Sequence, residues 1–282
     1  MTQIGFFPGC SLKGTSSEYA QSIFTLSKMV GINLVEIEDW NCCGASTVHN
    51  INNKLSVTLP ARILTLAKQQ KLTEIVAPCA ACYNRLCIAQ HQLKINKFLR
   101  NQLFETFQIC IDNNISILNI IQYIEKYIFE KIKEKIIYFF KYPVVCYYGC
   151  LLVRPHKILN FDRLEDPQSM DNLMKKIGAL PIDWAYKTEC CGGGFSVSRT
   201  DIVVKLCGEI IKDAINKGAE AIIVACPMCQ SNLDTRRSCI NNYLHKKTNI
   251  PVIYITQAIG LAIGIKKKDL GFKKLFVKPT FI

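Results

Sequence analysis

Ten of the 15 cysteines in this 282-residue chain fall into two sets that share one order. The first set is Cys10, then the adjacent pair Cys42 and Cys43 followed by Gly44, then Cys79 and Cys82 in "APCAAC". The second is Cys150, then Cys190 and Cys191 followed by Gly192, then Cys226 and Cys229 in "ACPMC". The step from the pair to the CxxC is 36 residues in the first set and 35 in the second, and each lead-in cysteine follows a glycine, Gly9 or Gly149. Free cysteine is often a buried core residue, but five thiols in one order, repeated at nearly one spacing, point to a metal group bound twice.

Zinc is the first candidate, because CxxC is a zinc signature and a structural zinc takes four ligands. Two CxxC motifs sharing one ion would leave both adjacent pairs and both lead-in cysteines without a role. The four histidines, His49, His91, His156 and His245, form no spaced ligand pair. Iron–sulfur clusters, held by thiolates, usually four to a cluster, are the better fit, and five cysteines per half exceed the need of one cubane. Neighbouring side chains of an extended chain diverge, so an adjacent pair suits two irons of one larger cluster. The glycine that follows lets the backbone turn and leaves room for inorganic sulfur. The other five cysteines, Cys87, Cys110, Cys146, Cys207 and Cys239, have no counterpart across the repeat and read as core thiols.

The elements that must carry these residues also repeat. "TQIGFFPG" and "PVVCYYG" read as strands ending in a turn. "SEYAQSIFTLSKMVG" has helical spacing, with Ser17 as N-cap and Gly31 as stop, and "DPQSMDNLMKKIGA", ending at Gly178, is its partner in the second half. "KLSVTLPARILTLAKQQK" and "TDIVVKLCGEIIKDAINKG" are helices after each cysteine pair. "LTEIVAPC" and "AEAIIVACPMC" are buried strands that deliver each CxxC, and "VIYITQAIGLAIG" is a strand followed by a helix. The alternation predicts an α/β fold: two pseudo-symmetric Rossmann-like domains with largely parallel sheets, packed together. In such sheets ligands sit beyond the carboxyl ends of the strands, so the five cysteines of a half can meet at one edge. Residues 1–141 form the first domain plus a mostly helical connection from about Lys97 to Lys141, and residues 142–282 form the second. No flexible linker separates them.

Bulk properties narrow the class. Hydrophobic residues are 49% and charged residues 20%, which is globular rather than disordered composition. The N-terminal "MTQIGFFPGC" is not a secretory signal, which predicts a cytoplasmic metal protein rather than a disulfide scaffold. No window reaches the roughly 18 to 20 apolar residues of a membrane span. The nearest, "NISILNIIQYIEKYIFEKIKEKIIYFFKYP", is broken by charges and reads as an amphipathic stretch that could lie on anionic lipid at the inner face of a membrane. The net charge of +13 is compatible with an acidic partner, lipid or substrate. Nucleic acid is excluded by the lack of a basic stripe with interleaved aromatics or a finger motif.

With these motifs the chain resembles the cysteine-rich CCG domain family. In particular it is similar to the CCG-type subunit of heterodisulfide reductase and to the related CCG-type subunit of some succinate dehydrogenases and fumarate reductases. The resemblance runs through "FFPGCSLKGT", "NCCGAS", "APCAACYNRL", "YYGCLLVRP", "DPQSMDNLM", "KTECCGGGFS", "ACPMCQSNLD" and "GFKKLFV". It implies two non-cubane [4Fe-4S] clusters, one held by Cys10, Cys42, Cys43, Cys79 and Cys82, the other by Cys150, Cys190, Cys191, Cys226 and Cys229. All ten positions are filled, and by the same resemblance they are the catalytic residues. It also implies disulfide cleavage between the clusters by one-electron steps, with electrons from an iron–sulfur subunit carrying cubane clusters and from a flavoprotein. No flavin or nicotinamide fingerprint is present in the chain itself.

The alternative is a succinate dehydrogenase or fumarate reductase subunit that exchanges electrons with a quinone at the membrane. A third reading is an electron-relay subunit with no substrate of its own. Around the cysteines, Lys13, Arg154 and His156 are candidates to meet an anionic substrate, and His49 is a candidate proton donor. Tyr83, Asn84 and Arg85, with Gln230, Ser231 and Asn232, are expected to cap helices and shape the cluster pocket.

Overall fold

The computed structural model describes residues 3–109, 115–138 and 140–280. Among the described residues, eight strands form two four-stranded sheets. The first contains β1 (Gln3–Phe6), β2 (Asn33–Glu36), β3 (Glu74–Val76) and β4 (Ser116–Leu118), in the order β2-β1-β3-β4. The second contains β5 (Pro143–Tyr147), β6 (Leu180–Pro181), β7 (Ala221–Val224) and β8 (Val252–Tyr254), in the order β6-β5-β7-β8. All six pairings are parallel, for example Gly5 opposite Ile75 and Val145 opposite Ile222. The apolar runs "EIV" and "AIIV" of β3 and β7 are buried along their whole length, as central parallel strands covered on both faces must be.

The helices fall where the 3.6-residue period puts them, with local differences. Ser17–Met29 is helical, but Ser17 is its first helical residue and Ser16 occupies the N-cap position, because the chain already turns there and Tyr19 N donates to Ser16 O at 3.1 Å. Gly31 follows the helix with φ +72°, as a stop should. Asn53–Gln69 is capped by Asn52, whose side chain accepts from Leu55 N at 2.9 Å. Ser169–Lys176 and Thr200–Asn216 match their predicted segments.

The connection between the halves differs more. It is not helical throughout: Ser116–Leu118 is the outer strand of the first sheet, in register with β3. The short run "SIL" has strand character that the helical period of the following segment hides. Residues 120–135 are helical, with a π-turn at Ile124–Ile128. The apolar face of this segment does not meet lipid. Ile120, Ile121, Ile124, Ile128 and Ile132 are all 0% exposed and belong to the main core. Exposed aromatic side chains lie instead on the helix Lys97–Phe107, at Phe98, Phe104 and Phe107. Among the described residues no helix is long and apolar enough to cross a membrane.

One continuous core runs through both halves. The halves are fastened by buried groups. The rings of Tyr19 and Tyr254 stack at 3.9 Å, Tyr19 OH donates to Ala225 O at 3.1 Å, and Ser22 and Thr256 share a hydroxyl hydrogen bond at 2.7 Å. The orientation of 120–135 has a direct test in denaturant unfolding. Ile128→Ala should lose about 2–5 kcal/mol as a core truncation, whereas Phe98→Ala should stay within about 0.5 kcal/mol. Equal small losses would show that the segment does not face the core.

Candidate metal centre

Each CxxC stands at a strand-to-helix corner. β3 runs into the helix Ala80–Ile95 with Cys79 at its N-cap, and β7 runs into the helix Pro227–Asp234 with Cys226 at its N-cap. The second cysteine of each motif, Cys82 or Cys229, lies in the first turn of the helix. The adjacent pairs occupy loops after β2 and β6. Their following glycines, Gly44 and Gly192, both have φ +76°, a conformation that side chains rarely adopt. This turn lets the glycine N–H point back at the first sulfur of the pair: Gly44 N lies 3.4 Å from Cys42 Sγ and Gly192 N lies 3.3 Å from Cys190 Sγ. The lead-in glycines matter through space. A Cβ on Gly9 would come to 2.9 Å from Cys82 Sγ, and one on Gly149 to 3.1 Å from Cys229 Sγ.

The result is a line of sulfurs that crosses from one half to the other. Cys43 Sγ meets Cys82 Sγ at 3.3 Å, and the equivalent Cys191 Sγ meets Cys229 Sγ at 3.5 Å. Within each CxxC the two thiols lie close enough to shift one another's pKa, and Cys79 and Cys226 do the same across the boundary. Two further pairs, Cys10 with Cys42 and Cys150 with Cys190, flank this line. All ten repeated cysteines are thus brought together, in two equivalent sets of five.

Crowding polarises them. The Cys150 thiol, followed by the N–H groups of Gly192 and Gly193, pulls Cys190 down to about 6, against the cost of burial. Cys43 is lowered by hydrogen bonds from Cys42 and Cys82, and Cys226 by hydrogen bonds from Cys229 and Cys79. Their neighbours Cys79, Cys82, Cys150 and Cys229 are pushed up by the same contacts. Where one sulfur of a contact is favoured as thiolate, its partner is favoured as thiol: Cys150 with Cys190, Cys82 with Cys43, and Cys79 and Cys229 with Cys226.

This arrangement fits a multi-iron group better than a single ion. Among the described residues no three ligand side chains gather to hold one metal ion. The sulfurs are strung out, and at Gly9 and Gly149 any side chain would press on Cys82 and Cys229.

Other groups hold the second set in place. Lys187 is 2% exposed and lies among Asp166, Asp171 and Asp183 at 2.7, 3.4 and 3.4 Å. Its carbonyl accepts from Tyr148 N and Gly149 N at 2.9 and 3.0 Å, immediately before Cys150. Tyr147 OH donates to Glu189 O at 2.6 Å, immediately before Cys190. The equivalent of Lys187 in the first half is Asp39, which pairs with Arg62 at the surface.

The residues after each CxxC do not cap helices. Asn84, 1% exposed, donates to Leu151 O at 3.2 Å and Arg154 O at 2.6 Å, so a first-half helix anchors the Cys150 loop of the second half. Asn232 donates to Cys191 O at 3.2 Å and lies 3.7 Å from its Sγ. Gln230 is tied to Asp234, Tyr83 is buried in the core, and Ser231 is half-buried. Arg85 lines a cavity of about 210 Å³.

That cavity lies between the halves. Its second-half wall includes Cys150, Cys190, Cys191, Cys226 and Cys229, and its first-half wall includes Ala45, Ser46, His49, Ala80, Ala81 and Arg85. The other expected polar candidates do not reach it. Lys13 is paired with Glu36 at 2.6 Å, Arg154 is paired with Glu165 at 3.1 Å, and His156 is exposed at the start of a short helix. Of the five unrepeated cysteines, Cys146 and Cys207 are core thiols and Cys87 is half-buried. Cys239 is exposed, because it sits on the outer side of the helix Arg237–Tyr243, so it is not a core thiol. Cys110 lies outside the described residues.

Residues 4–87 and 144–234 both match the CCG cysteine-rich domain, so the chain belongs to that family. Over its full length it is similar to subunits of reductase complexes. It is 29% identical to the 8-methylmenaquinol:fumarate reductase membrane anchor subunit of Wolinella succinogenes, over 99% of this chain and 98% of that one. It is 25% identical to the HdrB component of the ferredoxin/F420H2-dependent CoB-CoM heterodisulfide reductase of Methanosarcina acetivorans, over 97% and 93%. A crystal structure of a hypothetical protein from Helicobacter pylori shares the fold, with a TM-score of 0.78 and 16% identity. It aligns with the whole of this chain, which spans 53% of that protein's length.

Two substitutions separate ligand from core. Cys191→Ala should lower the bound iron of the anaerobically purified protein by about half, while Cys207→Ala should leave it unchanged, both read by iron and labile-sulfide assay. Equal losses would remove the assignment. Lys187→Met should destabilise by about 3–5 kcal/mol in denaturant unfolding, because it leaves buried Asp171 without its cation. An unchanged midpoint would show that this network does not hold the loops.

Proposed function

We propose that this chain is an iron–sulfur subunit of a reductase complex that passes electrons to or from a quinone held in the cavity between its halves. Two non-cubane [4Fe-4S] clusters would be bound, one by Cys10, Cys42, Cys43, Cys79 and Cys82, the other by Cys150, Cys190, Cys191, Cys226 and Cys229. When bound, such groups supply one-electron redox chemistry that thiols alone do not. The chain's own residues do the rest: glycine N–H groups support the sulfurs, Asn84 and Lys187 fix the Cys150 loop, and the packed halves exclude water from the line of thiols.

The observation that carries the quinone reading is the asymmetry of the cavity. All its lining thiols belong to the second set, and the first half contributes a wall of small side chains with Arg85 and His49. A quinone needs contact with one redox group only, and the other set then serves as a relay. The full-length likeness to a component of a menaquinol-dependent fumarate reductase supports the same reading. Partners would be a flavoprotein and an iron–sulfur subunit with cubane clusters. The site of action would be the inner face of a membrane, where a chain of charge +13 is attracted to anionic lipid.

The second reading is cleavage of a disulfide by one-electron steps. The completeness of both five-cysteine sets and the likeness to the HdrB component of heterodisulfide reductase favour it. Anaerobic iron and sulfide counts, with EPR during titration, separate the two. About eight irons per chain, with signals that respond to a naphthoquinol and not to thiols, is the expected result. A response to thiols alone would select the disulfide reading. About one metal per chain would end the cluster assignment.

A further inference from the structure

We infer that Arg85 is the recognition residue of the cavity, donating its guanidinium N–H groups to a carbonyl oxygen of a quinone headgroup. This rests on the quinone reading above and adds the residue that would select the ligand.

Arginine carries five N–H groups and no acceptor, and a half-buried guanidinium without partners is costly. Most other cations near the site are satisfied. Lys13 and Arg154 have carboxylate partners, Arg236 donates to Ser196 O, and Arg237 donates to Leu233 O and to Ile250 O at 2.7 Å. Arg85 makes no hydrogen bond or salt bridge to any described residue, its Nε is buried without an acceptor, and it feels the Cys43 sulfur only through space. His49 lines the same cavity, and its Nδ1 is also buried without a partner.

The equivalent position in the second half shows what a spent donor looks like. Asn232 stands three residues after Cys229, as Arg85 does after Cys82. Its amide is used within the protein, on Cys191. His49 is likewise matched by Val197, which is 98% exposed and lies off the cavity. The polar groups are therefore on one wall only, opposite the thiols of the second set.

The shape selects among ligands that offer an oxygen. The five sulfurs of the second set line this cavity of about 210 Å³, so a cluster bound by them would take up part of it and leave room for no more than a headgroup. Ala80 and Ala81 on one side and Gly193 and Gly194 on the other keep part of the walls low, and Leu151 and Met228 add apolar surface for a flat ring. A quinone carbonyl oxygen gains negative charge as the ring is reduced, so a fixed guanidinium beside it favours the reduced form.

The test is calorimetric titration of menadione into the anaerobically purified full-length protein, with iron content measured on every sample. Arg85→Met should bind menadione about 10- to 100-fold more weakly, the range for a hydrogen bond to a charged group. Arg85→Lys should recover part of that loss, and Arg154→Ala should bind like the unaltered protein. Equal affinity of Arg85→Met and the unaltered protein, at equal iron content, would overturn the role of Arg85 and leave the quinone reading standing. An equal loss in Arg154→Ala would place recognition at another site and overturn it too. If the unaltered protein ignores menadione but binds oxidised glutathione, the quinone reading itself fails.

Discussion

Ten sulfurs gathered along one seam, six of them buried, cannot all be thiolates without a counter-charge. Like charges a few ångströms apart raise one another's pKa, and burial adds to the effect. The protein answers by biasing Cys43, Cys190 and Cys226 toward the charged form and Cys79, Cys82, Cys150 and Cys229 toward the protonated one. A positively charged metal group would remove the conflict, since a coordinating thiol is deprotonated outright. The rest of the architecture follows from bringing these sulfurs together.

Parallel sheets meet that demand well, because every strand delivers its carboxyl end to the same edge. β3 and β7 each launch a helix whose N-terminal turn already carries two thiols. The tight turns at Gly44 and Gly192 then bring the adjacent pairs back over those helices. Second-half loops need further support, and it comes from two sources. Lys187 fixes the Cys150 loop from within its own half, and Asn84 reaches it from the other.

Much of this is legible in the sequence because it is periodic. Repeated cysteine order, strand-to-helix alternation and the apolar runs of β3 and β7 each leave a local mark. Features that depend on partners distant in the chain leave none. The strand at Ser116–Leu118 is three residues long and exists because β3 offers it an edge to pair with. The segment 120–135 is amphipathic, and amphipathicity alone does not say whether its apolar face meets lipid or the core of its own chain. In the sequence Lys187 is one of many basic residues, and only the meeting of three aspartates makes it structural. The distance of Arg85 from Cys82 places it near the pocket, but the lack of any protein partner for it is a property of three dimensions.

The contact between Cys79 and Cys226 joins residues that occupy the same position in their respective halves. Contact of like with like is what a twofold axis produces between identical subunits. The two halves thus meet as a homodimer of one ancestral domain would. In such a dimer every wall would be duplicated, and a guanidinium on one side would impose another on the second. Joining the copies in a single chain removed that restriction. Position 85 keeps an arginine while its twin holds an asparagine turned toward its own sulfur, so the two sides of the sulfur line carry different polar groups where a symmetric pair would carry the same one twice.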